Sequence, residues 1–416
     1  LEPTLKGAAA LARSATGPLS PHLPAFVMSL IDQGYAVVCV RAKSWRAVDF
    51  DRWLAQEGID LVDVSDVHVV RYHRRSGRPR SDCRAEPRRN QLAALNHLLC
   101  FLREQDACSP APSAALPADD MAASFEQFLL RQRGLAPATV GGYRATVRGF
   151  LAHRFGDQRI DLGAMHANDI IDFVRREARR LQPKGLKHVV SSLRAFLRYA
   201  EFRGEIDASL IHAVPAVAVW TTTPPLPRAI STEHARLAIA SCDPDTAVGR
   251  RDRAILLTLA RLGLRAAEII ALTLDDVDWE AGHLRIHGKN RRDSLLPLPV
   301  DVGEAIAAYL QNGRPTCADR HLFLRTRAPI RGLLYAFDGV GSIVRNALQR
   351  AKVDAPHKGS HQFRHALAVR MLRGGASLSE IGEVLRHSSP LSTSIYAKVD
   401  LAALRPLAMP WPGSAS

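Results

Sequence analysis

Apolar positions recur with a helical period through most of the chain and switch to a period of two only once. Phe26, Met28, Leu30 and Ile31 lead into Gly34-Tyr35. Val37 to Leu54, with Trp45, Phe50 and Trp53, predicts an amphipathic helix; Val67 to Tyr72 predicts a short one; Leu92 to Leu102 predicts an apolar one. Arg71 to Arg89 is a polar, basic loop, and Cys108 to Ala118, with Pro110, Pro112 and Pro117, reads as a linker. The pattern then starts again. Gly34 is answered by Gly134, and Ile59-Asp60-Leu61 by Ile160-Asp161-Leu162. Val69-Val70-x-Tyr72-x-Arg74-Arg75 returns as Ile170-Ile171-x-Phe173-x-Arg175-Arg176, and Phe101-Leu102-Arg103 as Phe196-Leu197-Arg198. A repeat offset by about a hundred residues predicts a duplicated four-helix domain rather than a solenoid. Ala136-Pro137-Ala138-Thr139 starts a helix of the second copy.

Pro215 to Pro227 is the clearest linker, Pro-rich and extended. Beyond it, Arg253 to Leu262 is an apolar helix that stops at Gly263, and Leu264 to Ile270 starts another. His283 to Pro299 alternates as a β-hairpin, with Leu284 and Ile286 on one strand, Gly288-Lys289-Asn290 at the turn, and Leu296 and Leu298 on the return. The stretch from Ser360 to Tyr396 predicts three short helices. Ser360 is placed to cap the first, which Gly374-Gly375 closes. Ser377 with Glu380 forms a capping box for the second, and Ser389-Pro390 starts a third that carries Tyr396. The expected fold is mainly α with a small antiparallel β-hairpin in the last domain. The expected boundaries are 1–110 for an N-terminal helical domain, 119–212 for the four-helix domain it repeats, 213–227 for the extended linker, 228–408 for the domain that holds the candidate chemistry and 409–416 for a tail.

Charge narrows the partners. Fifty-six Lys and Arg against 41 Asp and Glu leave +15 over 416 residues. The excess is mostly arginine, which suits bidentate phosphate contacts, so a polyanion such as DNA is the expected partner. Arg144 and Arg148 on one helix of the second repeat, and Arg194 and Arg198 one turn apart on another, form rows that can follow a phosphate backbone. The six cysteines form no C-x-x-C pair, which argues against zinc and a disulfide framework and fits a reducing cytoplasm. No signal peptide or membrane-spanning apolar run is evident. The sequence opens on Leu1, so native residues are expected upstream.

The candidate chemistry lies in Arg265, Lys289, His361, Arg364, His387 and Tyr396, with Glu268 placed to orient Arg265. No carboxylate cluster is arranged for a catalytic metal, and no phosphate-binding glycine loop is present. Two guanidiniums and two imidazoles suit one phosphodiester whose charge grows in the transition state. A tyrosine phenol is a plausible nucleophile, since its ester is readily attacked by a DNA hydroxyl. A lysine on a hairpin can protonate the departing oxygen.

These stretches resemble the tyrosine recombinase (phage integrase) family. The resemblance rests on Ala260-Arg261-Leu262-Gly263-Leu264-Arg265-Ala266-Ala267-Glu268, Gly288-Lys289, His361-Gln362-Phe363-Arg364-His365, Leu385-Arg386-His387 and Tyr396, in that order. The unit at 119–211 looks like that family's core-binding domain, and the unit at 1–110, extra to the family's simplest members, would be a second core-binding-like domain, an arm-type DNA-binding domain or a multimerisation module. The resemblance implies that Tyr396 attacks the scissile phosphate to form a 3′-phosphotyrosyl link. It implies that Arg265 and Arg364 hold the non-bridging oxygens, that Lys289 is the general acid, that His361 helps deprotonate Tyr396, and that His387 bonds the phosphate. It implies no metal or nucleotide cofactor, and a tetramer acting on two double-stranded DNA sites with inverted repeats, in the cytoplasm at the nucleoid. Arg291 and Arg292 beside Lys289 are further DNA-contact candidates. The apolar tail Leu401 to Leu407 is expected to dock on a neighbouring protomer. Arg386 stands where the family usually has glycine, and Lys398 where many members have histidine. A mobile-element or phage recombinase is the expected function. A type IB-like strand-relaxing enzyme and a non-catalytic DNA-binding protein are the alternatives.

Overall fold

A computed structural model describes residues 2–75, 88–108, 117–217, 229–288, 293–333, 339–355, 358–387 and 389–399. Two compact units divide the chain: one gathers the described parts of 1–59, 80–98 and 224–416, the other those of 60–79 and 99–223. In chain order the helices are α1 (Glu2–Arg13), α2 (Leu23–Asp32), α3 (Val37–Glu57), α4 (Asp66–Arg75), α5 (Arg88–Glu104), α6 (Pro117–Arg131), α7 (Pro137–Phe155), α8 (Ala167–Ala178), α9 (Pro183–Phe202) and α10 (Ser209–His212). They continue as α11 (Thr232–Ala240), α12 (Ala247–Leu262), α13 (Ala266–Ala271), α14 (Val300–Asn312), α15 (Val340–Arg350), α16 (His361–Arg373), α17 (Leu378–Val384) and α18 (Pro390–Thr393). Helix α1 was not expected, although Ala8 and Ala12, one turn apart, are both buried. The turn after it is tied down by Asp51, whose carboxylate accepts from Gly17 N at 2.8 Å and Leu19 N at 2.7 Å.

The internal repeat appears as the same order of elements: α2, α3, a short 3-10 turn, α4 and α5, then α6, α7, a short 3-10 turn, α8 and α9. Equivalent positions are buried in both copies. Val40, Ala47 and Phe50 answer Val140, Val147 and Phe150, and Val69 and Tyr72 answer Ile170 and Phe173. The last helices align differently from the Phe-Leu-Arg match in the sequence. Asp106 closes α5 with φ 51°, and Gly204 closes α9 with φ 71°. The same pair of bonds forms at each end, Ala107 N to Leu102 O and Glu205 N to Ala200 O. Counted back from those closures, buried Leu95, Leu98, Leu99 and Leu102 match buried Leu193, Phe196, Leu197 and Ala200. In the second copy Phe125, Phe150, Phe196 and Leu197 form the centre of a single core. Val214 joins that core and Val217 packs against it, so the helical unit extends past the expected linker start at 213. Residues 218–227 of the linker lie outside the described residues.

Helix α12 lies at the centre of the core that follows the linker. Ala254, Ile255, Leu256, Leu257 and Leu259 are all buried, so this helix is apolar on nearly every side. Helices α11, α14, α15 and α16 pack on it. A three-stranded antiparallel sheet flanks this core: β1 (Val277–Asp278), β2 (His283–His287) and β3 (Asp293–Pro297). The expected hairpin is β2–β3, with Leu284 opposite Leu296 and Ile286 opposite Ser294. The two-residue β1 was too short to leave a period. The hairpin tip, with Lys289, Arg291 and Arg292, lies outside the described residues.

Helix α16 starts where expected, but Ser360 is itself in α-helical conformation and its side chain caps nothing. The Ser377–Glu380 capping box is formed, with Glu380 Oε2 accepting from Ser377 N at 2.7 Å. The expected third helix is a four-residue α turn followed by a 3-10 turn over Ser394–Val399, which carries Tyr396. Gln362, 3% exposed in the first turn of α16, leaves both amide atoms without a hydrogen-bond partner among the described residues. Burying such a group costs about 1–3 kcal/mol. Gln362→Met, of similar shape, is therefore expected to raise unfolding stability by about 1–2 kcal/mol. Urea unfolding reads the difference, and a destabilised variant would mean the amide has a bound-water partner.

Candidate active site

Two helix ends and one buried carboxylate organise the polar cluster. Helix α12 stops at Gly263 with φ 59°, and a Cβ there would lie 2.8 Å from Leu385 Cδ2 and 2.9 Å from Leu367 Cδ2. Both the left-handed conformation and the close approach require glycine. The turn delivers Arg265 to the N-cap of α13. Glu268, in that helix's first turn, accepts from Arg265 N at 2.8 Å and from its guanidinium Nη1 at 2.7 Å. The second oxygen also accepts from Arg386 Nη2 at 2.9 Å. Burial pushes the Glu268 carboxyl up, but the Arg265 N–H, Arg386 and the Arg265 guanidinium outweigh it and hold the group below the usual range. Glu268 is therefore an anion at neutral pH that grips two cations.

Arg364 projects from the first turn of α16 into the same place and is 3% exposed. It donates Nη1 to Gly263 O at 2.6 Å and Nη2 to Leu385 O. Burial first, then Arg265 and Arg386, lowers its pKa to about 10, with Glu268 and Tyr396 opposing. It remains charged at pH 7. Helix α17 ends at Val384 with Leu385 as its C-cap, and Arg386 follows in the left-handed region at φ 54°. That φ explains why glycine suits this position, and Arg386 holds it with its guanidinium on Glu268 and its carbonyl 3.4 Å from Arg265 Nη2. The next residue, His387, has Nδ1 2.6 Å from Thr393 Oγ1. Burial, then the charges of Arg364 and Arg265, lowers its pKa to about 4, so the ring is neutral. In the tautomer protonated at Nε2, Nδ1 accepts from the Thr393 hydroxyl and Nε2–H is left to donate elsewhere.

Tyr396 is 1% exposed and packs with Leu367, Ala368, Ile381 and Leu385. Its ring stacks on His387 at 6.4 Å between centroids, with 6° between planes. Its hydroxyl lies 2.9 Å from His365 Nδ1. Burial pushes the phenol pKa up, against the pull of Arg364. The His361 ring is 6.1 Å from that of His365, one turn away on α16. Arg265, Arg364, His387 and Tyr396 thus come together from four stretches of chain, with Glu268 beneath them. The sequence assigned no role to His365, Thr393 or Arg386. His365 had a signal, since His361 and His365 are one helical turn apart on one face. Thr393 had none that distinguishes it from any polar residue after a proline.

The DNA-contact candidates of the second repeat are placed in the other unit. Arg144 pairs with Glu126 at 2.9 Å and Arg148 with Asp119 at 2.5 Å, both exposed. Arg194 donates to Val214 O at 3.1 Å and Pro215 O at 3.4 Å, so it fastens the chain leaving α10. Arg198 is exposed. No group of three or more His, Cys, Asp or Glu is placed to hold a metal among the described residues, and no described helix is long and apolar enough to cross a membrane.

Comparison with known proteins is consistent with this geometry. Residues 230–402 match the model of the phage integrase family, and residues 122–204 that of the phage integrase N-terminal SAM-like domain. The chain is 47% identical over 412 residues to "Putative integrase/recombinase y4rA" of Sinorhizobium fredii, covering 98% of each. It is 25% identical over 296 residues to "Tyrosine recombinase XerD" of Listeria innocua, covering 69% of this chain and 96% of that protein. Its fold is shared with the XerH site-specific recombinase solved on palindromic difH DNA, at TM-score 0.51 and 16% identity, over 83% of this chain and 95% of that one. With one relative alike over nearly its whole length and both family segments in order, the chain belongs to the phage integrase family of tyrosine recombinases, enzymes that cleave and rejoin DNA.

Proposed function

We propose that the chain is a site-specific recombinase of a mobile element or phage that breaks and rejoins DNA through a 3′-phosphotyrosyl intermediate on Tyr396. The observation that carries this reading is a buried phenol with Arg364 and the His387 ring beside it, Arg364 and His387 in turn lying in the field of Arg265, which Glu268 holds. Tyr396 Oη attacks the scissile phosphorus as the bond to the 5′-oxygen breaks. Arg265 and Arg364 neutralise the non-bridging oxygens, where each donor is worth about 3–4 kcal/mol in related chemistry. His387 donates Nε2–H to the phosphate. Lys289 protonates the leaving 5′-oxygen, and His361 helps deprotonate Tyr396. The reaction needs no metal or nucleotide, because the phosphotyrosyl bond conserves the energy of the diester.

In the same reading residues 228–408 form the catalytic domain, 119–212 the core-binding domain and 1–110 a second core-binding-like module. Arg144, Arg148, Arg198, Arg291 and Arg292 contact DNA phosphates, with Arg194 setting the start of the linker. Four protomers assemble on paired inverted-repeat sites, exchanging the tail from Leu401. The match to a full-length integrase/recombinase relative supports the element-borne role. The XerH recombinase of the same fold is solved on a palindromic DNA, which supports an inverted-repeat target.

Two measurements test this. A duplex selected from random-sequence DNA by binding to the full chain, then nicked beside the crossover point, is expected to trap a covalent protein–DNA complex. Tyr396→Phe is expected to abolish that complex while site binding persists; trapping that survives in the variant overturns the nucleophile. Glu268→Ala should leave Arg265 and Arg386 facing each other without their anion. Removing one partner of a buried pair costs about 3–5 kcal/mol, and the lower end applies because Arg265 is partly exposed. Denaturant unfolding is expected to show a loss of about 3 kcal/mol, with cleavage falling alongside; an unchanged midpoint would deny Glu268 its positioning role.

A further inference from the structure

The Tyr396 hydroxyl makes its hydrogen bond to a residue with no assigned role. His365 Nδ1 is 2.9 Å from it, and the two rings meet edge-on at 5.7 Å and 62°. Burial, then the nearby charges of His361 and Arg364, lowers the affinity of this imidazole for a proton, so it is neutral at pH 7. In the tautomer protonated at Nε2, Nδ1 is an acceptor aimed at the phenol. The groups acting on the pair are His361 and Arg364 on its own helix, and His387, which lies beyond α17 and stacks on the other side of Tyr396.

We propose that His365 takes the Tyr396 proton during attack on the phosphodiester and returns it during rejoining. The proposal rests on Tyr396 being the nucleophile. As Oη bonds to phosphorus and the bond to the 5′-oxygen breaks, the phenol proton passes to His365 Nδ1, giving an imidazolium; the 5′-oxygen takes its own proton from the general acid. When a 5′-hydroxyl later attacks the phosphotyrosine, the phenolate leaves and recovers its proton from His365. The surroundings suit a reversible reaction. A strongly basic acceptor would hold the proton and trap the intermediate. An imidazolium beside Arg364 and His361 is disfavoured, so it releases its proton readily.

The test uses the full chain and the nicked duplex described above, with single-turnover cleavage as the readout. His365→Ala is expected to cleave at least about 100-fold more slowly with unchanged site binding, as general-base loss typically gives. Added imidazole is expected to restore part of the rate, with the gain following the free-base form of imidazole. The wild-type rate is expected to fall on acidification through a value below about 6.5, the ordinary imidazole pKa, and His365→Asn, which can hydrogen-bond but not take a proton, is expected to stay slow and lose that limb. The proposal is overturned if His365→Ala cleaves within about threefold of wild type, if His365→Asn restores the wild-type rate, or if neither variant responds to imidazole. Tyr396→Phe is run in parallel: covalent trapping in that variant refutes the nucleophile itself, whereas a normal His365→Ala rate with an inactive Tyr396→Phe refutes only the base.

Discussion

A single buried carboxylate sets the charge of the pocket. Arg265, Arg364 and Arg386 converge within one helix junction, and Glu268 is the anion that holds two of them. The third, Arg364, donates to two main-chain carbonyls, whose dipoles offset but do not cancel its charge. The imbalance shows in the arginine itself, whose affinity for its proton is lowered to about 10 by burial and by its two cationic neighbours. A phosphodiester entering here would relieve a repulsion already present in the free protein. In the proposed reaction that relief would grow as negative charge develops on the phosphorane oxygens, which is where a catalyst gains rate rather than only affinity.

Two left-handed residues make the arrangement possible. Gly263 turns the chain so that its carbonyl faces Arg364, and Arg386 does the same for Leu385 at the end of α17. A non-glycine residue in that conformation costs about 1–2 kcal/mol. The pairing of Arg386 with Glu268 offsets this cost, and it adds a cation to the pocket that a glycine would not supply. The sequence marked Arg386 as a departure but could not show that its side chain turns inward to the carboxylate beneath Arg265.

Legibility followed the length of the periodic signal. Long amphipathic helices, the alternation of Leu284 and Ile286, and the order of the motif residues were readable because each rests on repeated or spaced positions. What escaped depends on contacts between distant stretches. The 3-10 turn that carries Tyr396 is fixed by its packing on Leu367, Ile381 and Leu385, so local propensity favoured a regular helix instead. Ser360 looks like a cap in sequence, yet the turn before α16 is already helical and leaves its hydroxyl no role there. His365 was visible in the motif, but only the approach of the Tyr396 turn across α16 gives it something to do.

The repeat shows how one helical plan acquires two settings. Its two copies share helix order, buried positions and closing turns. Their corresponding glycine turns are used differently. At Gly34 a Cβ would lie 2.6 Å from Ile330 Cγ1, and the preceding Gln33 O accepts from Ile330 N at 2.8 Å. At Gly134 a Cβ would meet nothing within 4 Å among the described residues. The first copy has therefore made its turn into a main-chain bridge to the 325–331 loop, inside the unit that holds Arg265 and Tyr396. Both turns need glycine for a left-handed φ, but only the first also needs it for space. The first turn is thus constrained by that contact as well as by its left-handed φ, whereas among the described residues the second is constrained by its φ alone.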